Sequence, residues 1–206
     1  MTTRTLTHLY DSHDEAVAAV RALEAAGFGN DNVGIVANNA DHRYQAAKEG
    51  EEVGAAGAGA TAGTILGGGL GLMAGIGAMA IPGVGPVVAA GWLVATLTGA
   101  GVGAVAGGAA GGLVGSLTHA GVPEQDAHVY AEGVRRGGSL VTVRADEARV
   151  AEAERILAGR AYVDPALRRT EYAQTGWDRF DESRGPYVPA GGTAPGAPST
   201  TPRSSI

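Results

Sequence analysis

The only side chains in this sequence that titrate near neutrality are five histidines, and with zero cysteines they carry whatever case exists for metal binding or proton transfer. They are His8, His13, His42, His119 and His128. None stands at ligand-like spacing from another. His119 and His128 are separated by a loop and Pro123, so the set reads as buried or surface imidazoles. Asp11 and Asp14 beside His13 resemble an acid/base group, yet they stand where a helix begins and there they favour its dipole. The charged run with Glu147, Arg149, Glu152, Glu154 and Arg155 reads as a solvated helix face. Gly69, Gly71 and Ala74, or Gly99, Gly101 and Ala104, imitate a dinucleotide loop. Such a loop needs a preceding strand, a helix start for the pyrophosphate and an acidic partner about 20 residues on, and neither glycine set follows a predicted strand. A Walker lysine is also missing. No catalytic residue, metal ligand or cofactor is assigned, and the expectation is a non-enzymatic protein.

The elements that would position any site are of two materials. All 36 Lys, Arg, Asp and Glu residues lie outside the 66-residue stretch 53–118, which holds 21 of the 35 glycines. Outside it the chain is charged like an ordinary globular protein. The glycines follow no strict three-residue period, which excludes collagen, and the lack of cysteine excludes disulfides and thiol catalysis. A formal net charge of -6 with 5% aromatics argues against nucleic acid as a partner. The first fourteen residues alternate polar and apolar types without an apolar core, so no export signal is read and cytoplasmic residence is the default.

Leu6, His8 and Tyr10 alternate with Thr5, Thr7 and Leu9, which predicts a half-buried strand. Ser12 and Glu15 form a capping-box pattern before a helix striped by Val17, Val20 and Leu23, stopped at Gly27 with Phe28 covering its end. Val33, Ile35 and Ala37 predict a second strand. After the glycine-rich stretch, Pro123 opens a helix carrying Ala127, Tyr130, Ala131 and Val134 on one face. A strand follows at residues 140–143, Asp146 is a candidate N-cap, and Val150, Ala153, Ile156 and Leu157 stripe another helix. Tyr162 and Val163 supply a fourth strand. The expected fold class is α+β: a ferredoxin-like α/β sandwich, βαβ then insertion then αβαβ, with one added helix. Its halves are residues 1–48 and 121–164, the insertion is 49–120, and 165–206 is a flexible tail.

The opening strand and helix, the start at Gly121, Val122, Pro123 and Glu124, the face at residues 130–134 and the strand at 137–143 resemble the bacterial general stress protein domain, also called heat-induced stress protein. The resemblance covers about residues 4 to 164. It implies a stress-linked bacterial protein and no catalytic residues to carry over.

Within the insertion Gly59, Gly63, Gly67, Gly71 and Gly75 recur every fourth residue, and so do Gly99, Gly103, Gly107, Gly111 and Gly115. Residues four apart share one ridge of a helix, so each row predicts a groove into which another backbone packs closely. Residues 82–86, Pro-Gly-Val-Gly-Pro, break any helix between the rows, and the expectation is a helical hairpin. Glycine costs about 1 kcal/mol relative to alanine in a helix, so such arms need compensation from lipid or from close helix contacts. As helices, residues 53–81 and 87–118 would each exceed the roughly 20 residues that cross a bilayer. Because both ends return to one domain, an even number of crossings or a re-entrant insertion is required.

These features predict a homo-oligomer in contact with membrane lipid, at the cytoplasmic membrane with the α/β domain facing the cytoplasm. The alternatives are a soluble cytoplasmic scaffold whose hairpins bundle between subunits, and a small-ligand sensor using the sandwich. In the tail, Trp177, Phe180 and Tyr187 stand together in a solvated stretch and form a candidate docking motif, similar to a short tail motif of related bacterial stress proteins. Its protein partner is unknown, and packing over the α/β module is the competing reading.

Overall fold

The computed structural model describes residues 3–39, 77–97 and 112–187. They form a mixed α+β architecture, a five-stranded antiparallel sheet in the order β1-β5-β2-β4-β3 with helices on both faces. The strands are β1 (Thr3–Tyr10), β2 (Val33–Asn38), β3 (Gly77–Ile81), β4 (Gly85–Gly91) and β5 (Ser139–Asp146). The helices are α1 (His13–Ala25), α2 (Trp92–Leu97), α3 (Leu113–His119), α4 (Glu124–Arg135), α5 (Val150–Ala158) and α6 (Pro165–Ala173).

The first face follows from local periodicity. α1 buries Ala16, Ala19, Val20 and Leu23, a helical stripe, against Val33, Ile35, Val141 and Val143 of the sheet. α5 completes this layer through Ala153 and Leu157, and Tyr10 ties β1 to it by donating its hydroxyl to the Leu157 carbonyl at 2.9 Å. Ser12 stands at the α1 N-cap, but its side chain makes no capping hydrogen bond, which corrects the capping-box expectation. Asp14 and Glu15 in the first turn complement the dipole instead. The other end closes as predicted: Phe28 N–H donates to the Leu23 carbonyl at 3.0 Å and the Phe28 ring is buried. Arg149 stacks on that ring at 3.8 Å and donates to the Ala26 carbonyl at 2.7 Å.

The second face is built from α2, α3 and α4 over Leu9, Val36, Val87, Ala89 and Leu140. β2 and β5 are therefore covered on both sides and carry near-continuous apolar runs. Here the helical-hairpin expectation is corrected. Residues 82–86 do turn the chain, but between two strands: β3 and β4 pair from Gly77 with Ala89 to Ile81 with Gly85, and β4 pairs with β2 from Gly34 with Gly91 to Asn38 with Val87. The physical reason is competition for backbone partners. A glycine-rich helix loses about 1 kcal/mol per glycine, whereas the free edge of β2 offers a ladder that needs a partner. Gly91, at φ +76°, swings the chain from β4 into α2 where any side chain would overlap the Val33 carbonyl.

Of the two glycine rows, Gly59, Gly63, Gly67, Gly71, Gly75, Gly99, Gly103, Gly107 and Gly111 lie outside the described residues. Gly115 falls in the seven-residue helix α3, half-buried, its carbonyl accepting from the Thr118 hydroxyl at 3.0 Å. Among the described residues no helix is long and apolar enough to cross a membrane. The fourth strand expected at Tyr162 and Val163 is a single bridge from Val163 to Leu9. Residues 165–173, expected to belong to a flexible tail, form α6, because Asp164 caps it by accepting from Ala166 N–H at 2.8 Å and Leu167 N–H at 3.2 Å with Pro165 at its start.

Candidate functional site

The residues singled out in the tail each pack on the body at a different place. Trp177 and Phe180 are buried and Tyr187 is half-buried, so the motif packs on its own chain. Trp177 meets Tyr172 of α6 edge-to-face, with ring centres 5.3 Å apart, over Val129 of α4. Phe180 joins Ile81, Val84 and Leu113 in the core. The chain then runs across the β3–β4 turn. A methyl group on Gly83 would sit 2.7 Å from the Glu182 α-carbon, and one on Gly85 would sit 2.8 Å from the Pro186 ring. One on Gly112, at the far end of the insertion, would overlap the Glu182 carboxylate. The tail thus packs on three glycines of the insertion, two at the β3–β4 turn and one just before α3.

This packing is held electrostatically by the end of α4. Glu132 is 1% exposed and accepts from Arg135 Nε at 2.8 Å, Arg135 Nη2 at 2.6 Å and Arg136 Nε at 2.5 Å. A carboxylate with this many charged donors satisfies its burial only while both arginines stay in place. Arg136 lies 4.3 Å from the Tyr172 ring centre and 4.9 Å from that of Tyr187, and Arg135 donates to the Gly185 carbonyl at 3.4 Å. Asn38 at the end of β2 donates to the Val134 carbonyl at 3.0 Å and finishes the helix. Sequence reasoning missed Glu132, Arg135, Arg136 and Tyr172. The signal was available, since a glutamate followed by arginines three and four positions later marks a helix face that pairs internally.

The histidines do not converge. Burial pushes the His8 imidazole below its ordinary value, opposed by Glu154, whose carboxylate lies 3.5 Å from its Nε2. His13 Nδ1 meets Ser139 Oγ at 3.2 Å, but Ser139 is 1% exposed, so the contact stitches α1 to β5 with no room for a reacting group. His128 lies beside Glu124 at 3.8 Å. His42 lies outside the described residues. Among the described residues no cluster of three acidic or histidine groups is placed to hold a metal ion. An open groove of about 270 Å³ runs along Asp11, Tyr162, Asp164, Leu167 and Arg168. Arg168 fills its polar side, donating to both oxygens of Asp11 at 2.9 and 2.7 Å, and these bonds hold the Asp11 carboxyl below the usual carboxylate range.

Compared with family models, curated proteins and solved structures, the chain matches none.

Proposed function

We propose that the chain is a non-enzymatic structural protein that self-associates through its uncharged glycine- and alanine-rich segments, with the α/β body as the mount that presents them. In this reading the body is ferredoxin-like: the order Val163, β1, β5, β2, with α1 and α5 on one face, is extended by the inserted hairpin and by α4 on the other. The stress-linked role implied by the resemblance of residues 4 to 164 belongs to the same proposal.

The observation that carries it is how the β3–β4 hairpin divides the insertion. Once residues 77–97 are committed to the body, two segments remain, 40–76 and 98–111, each leaving and re-entering the same body. The uncharged part of the first, from Val53 to Ile76, is 24 residues, and the second is 14 residues. A return trip across a bilayer needs about 40 residues, since each crossing needs about 20. Neither segment has that length, whereas both carry the four-residue glycine spacing that suits close packing between copies.

The test is fractionation without detergent, followed by crosslinking of the wild type and of the double variant Gly67→Leu, Gly107→Leu. The expected result is a defined oligomer in the soluble fraction and at least a tenfold weaker association in the variant. Unchanged crosslinking in the variant contradicts the proposal. A second reading, shallow re-entrant insertion into lipid, draws on Ile65, Leu66, Leu70, Leu72, Met73 and Ile76 in the first segment. Flotation of the wild type with phosphatidylcholine vesicles, abolished by replacing Leu70 and Leu72 with serine, would favour it.

A further inference from the structure

One arginine lacks the partner that its burial calls for. Among the described residues every other arginine that is buried or half-buried lies within 3.8 Å of a carboxylate: Arg135, Arg136, Arg149, Arg160, Arg168 and Arg169. Arg144 is half-buried too, but no described residue gives its side chain a hydrogen bond or an ion pair. Asp31 acts on it only from beyond ion-pair distance and is itself exposed. Burial therefore prevails and lowers the guanidinium from its ordinary value, although the group stays charged at neutral pH. A partly desolvated cation without a counter-charge favours an anion beside it.

The sheet decides where this cation stands. Leu140 of β5 belongs to the second face, so Arg144, four residues on in the same strand, rises on that face. Trp92, the first residue of α2, is buried in the same core, and the Arg144 guanidinium carbon lies 4.1 Å from its ring centre. The Arg144 Nε is sealed without an acceptor, whereas its two Nη groups are neither sealed nor bonded. The stack thus fixes the plane and leaves the end of the fork open. On β1, Thr5 is directly opposed to Arg144, which puts its side chain on the same face with β-carbons about 5 Å apart. α4 crosses β1 farther along, where the Tyr130 hydroxyl donates to the Thr7 carbonyl and Gly133 meets Leu9. Thr5 stays half-buried, and its hydroxyl makes no hydrogen bond with a described residue.

We infer that Arg144 and Thr5 bind the carboxylate of a small organic acid, with Trp92 holding the guanidinium in place. The two Nη groups donate in parallel to the two carboxylate oxygens, and the Thr5 hydroxyl donates to one of them. A single negative charge is selected, because the site holds one cation and Asp31 repels any further charge. A doubly charged phosphate is therefore the poorer ligand. The site lies on the sheet and is independent of the glycine-rich segments.

The chain has two tryptophans, so a proton–nitrogen correlation spectrum shows two indole N–H signals, which Trp177→Phe assigns. Trp177 packs on Tyr172 and Val129 and serves as the internal control. As sodium acetate replaces sodium chloride at constant ionic strength and neutral pH, the Trp92 signal is expected to move and saturate while that of Trp177 stays. Arg144→Gln is expected to weaken acetate binding about tenfold or more, and Arg144→Lys, which keeps the charge but loses the planar fork, about tenfold. Thr5→Val, which removes only the hydroxyl, is expected to weaken it about threefold. A Trp177 signal at its wild-type position shows in each variant that the fold is kept. The inference is overturned if Trp92 shows no saturable shift, or if affinity is unchanged in Arg144→Gln. Should that variant fail to fold, unchanged affinity in Arg144→Lys and Thr5→Val overturns it equally. Phosphate binding as tightly as acetate overturns the assignment to a singly charged carboxylate.

Discussion

The two faces of the sheet are built by different routes. The α1/α5 face comes from neighbours in sequence: a strand, a helix and a strand before residue 39, then β5 and the helix after it. The α2/α3/α4 face draws on Leu9 and Val36, on residues 81–93 and 113–134, and on Leu140 and Val163, and is sealed by Phe180 of the tail. Both reach the same degree of burial, and Leu23 on one is as inaccessible as Leu93 on the other. The difference teaches that a stretch with the composition of an appendage can be part of the core. Low charge and high glycine content do not distinguish a helix that packs on a neighbour from a hairpin that completes a sheet.

That comparison can be broken most forcefully at Gly91. Its positive φ and the overlap of any side chain with the Val33 carbonyl combine backbone strain with overpacking, so Gly91→Ala is expected to destabilise by about 4 kcal/mol in urea unfolding. A change below about 0.5 kcal/mol would mean that the chain does not turn from β4 into α2 there. The next test sets one face against the other. Leu23→Ala and Phe180→Ala are each expected to cost about 3 kcal/mol, because each removes a side chain packed in its own core. If only Leu23→Ala destabilises, the tail is a loose covering and the second face is not sealed by it.

Much of the first face was legible in sequence because each signal was local. The stripe from Val17 to Leu23, the stop at Gly27 and the alternation of β1 all depend on residues within one or two turns of one another. The second face was not, for a physical reason. Whether residues 77–91 form strands depends on the open side of β2, some forty residues earlier, and no periodicity within the glycines records that partner. α6 was missed because its apolar stripe is thin: Tyr172 is buried, while Leu167 stays exposed. Of the candidate site, the cluster of Trp177, Phe180 and Tyr187 was visible as a group of aromatics. What it packs on was not, because Gly83 meets Phe180, and Arg135 and Arg136 meet Tyr187, only through the fold.

The central claim is that the middle of the glycine-rich stretch is a strand pair inside the sheet, and amide hydrogen exchange in detergent-free buffer tests it most directly. Residues 87–89 of β4, paired on both sides, are expected to exchange as slowly as residues 140–143 of β5. Exchange at the rate of an unprotected peptide, or protection that arises only after lipid is added, would contradict the account.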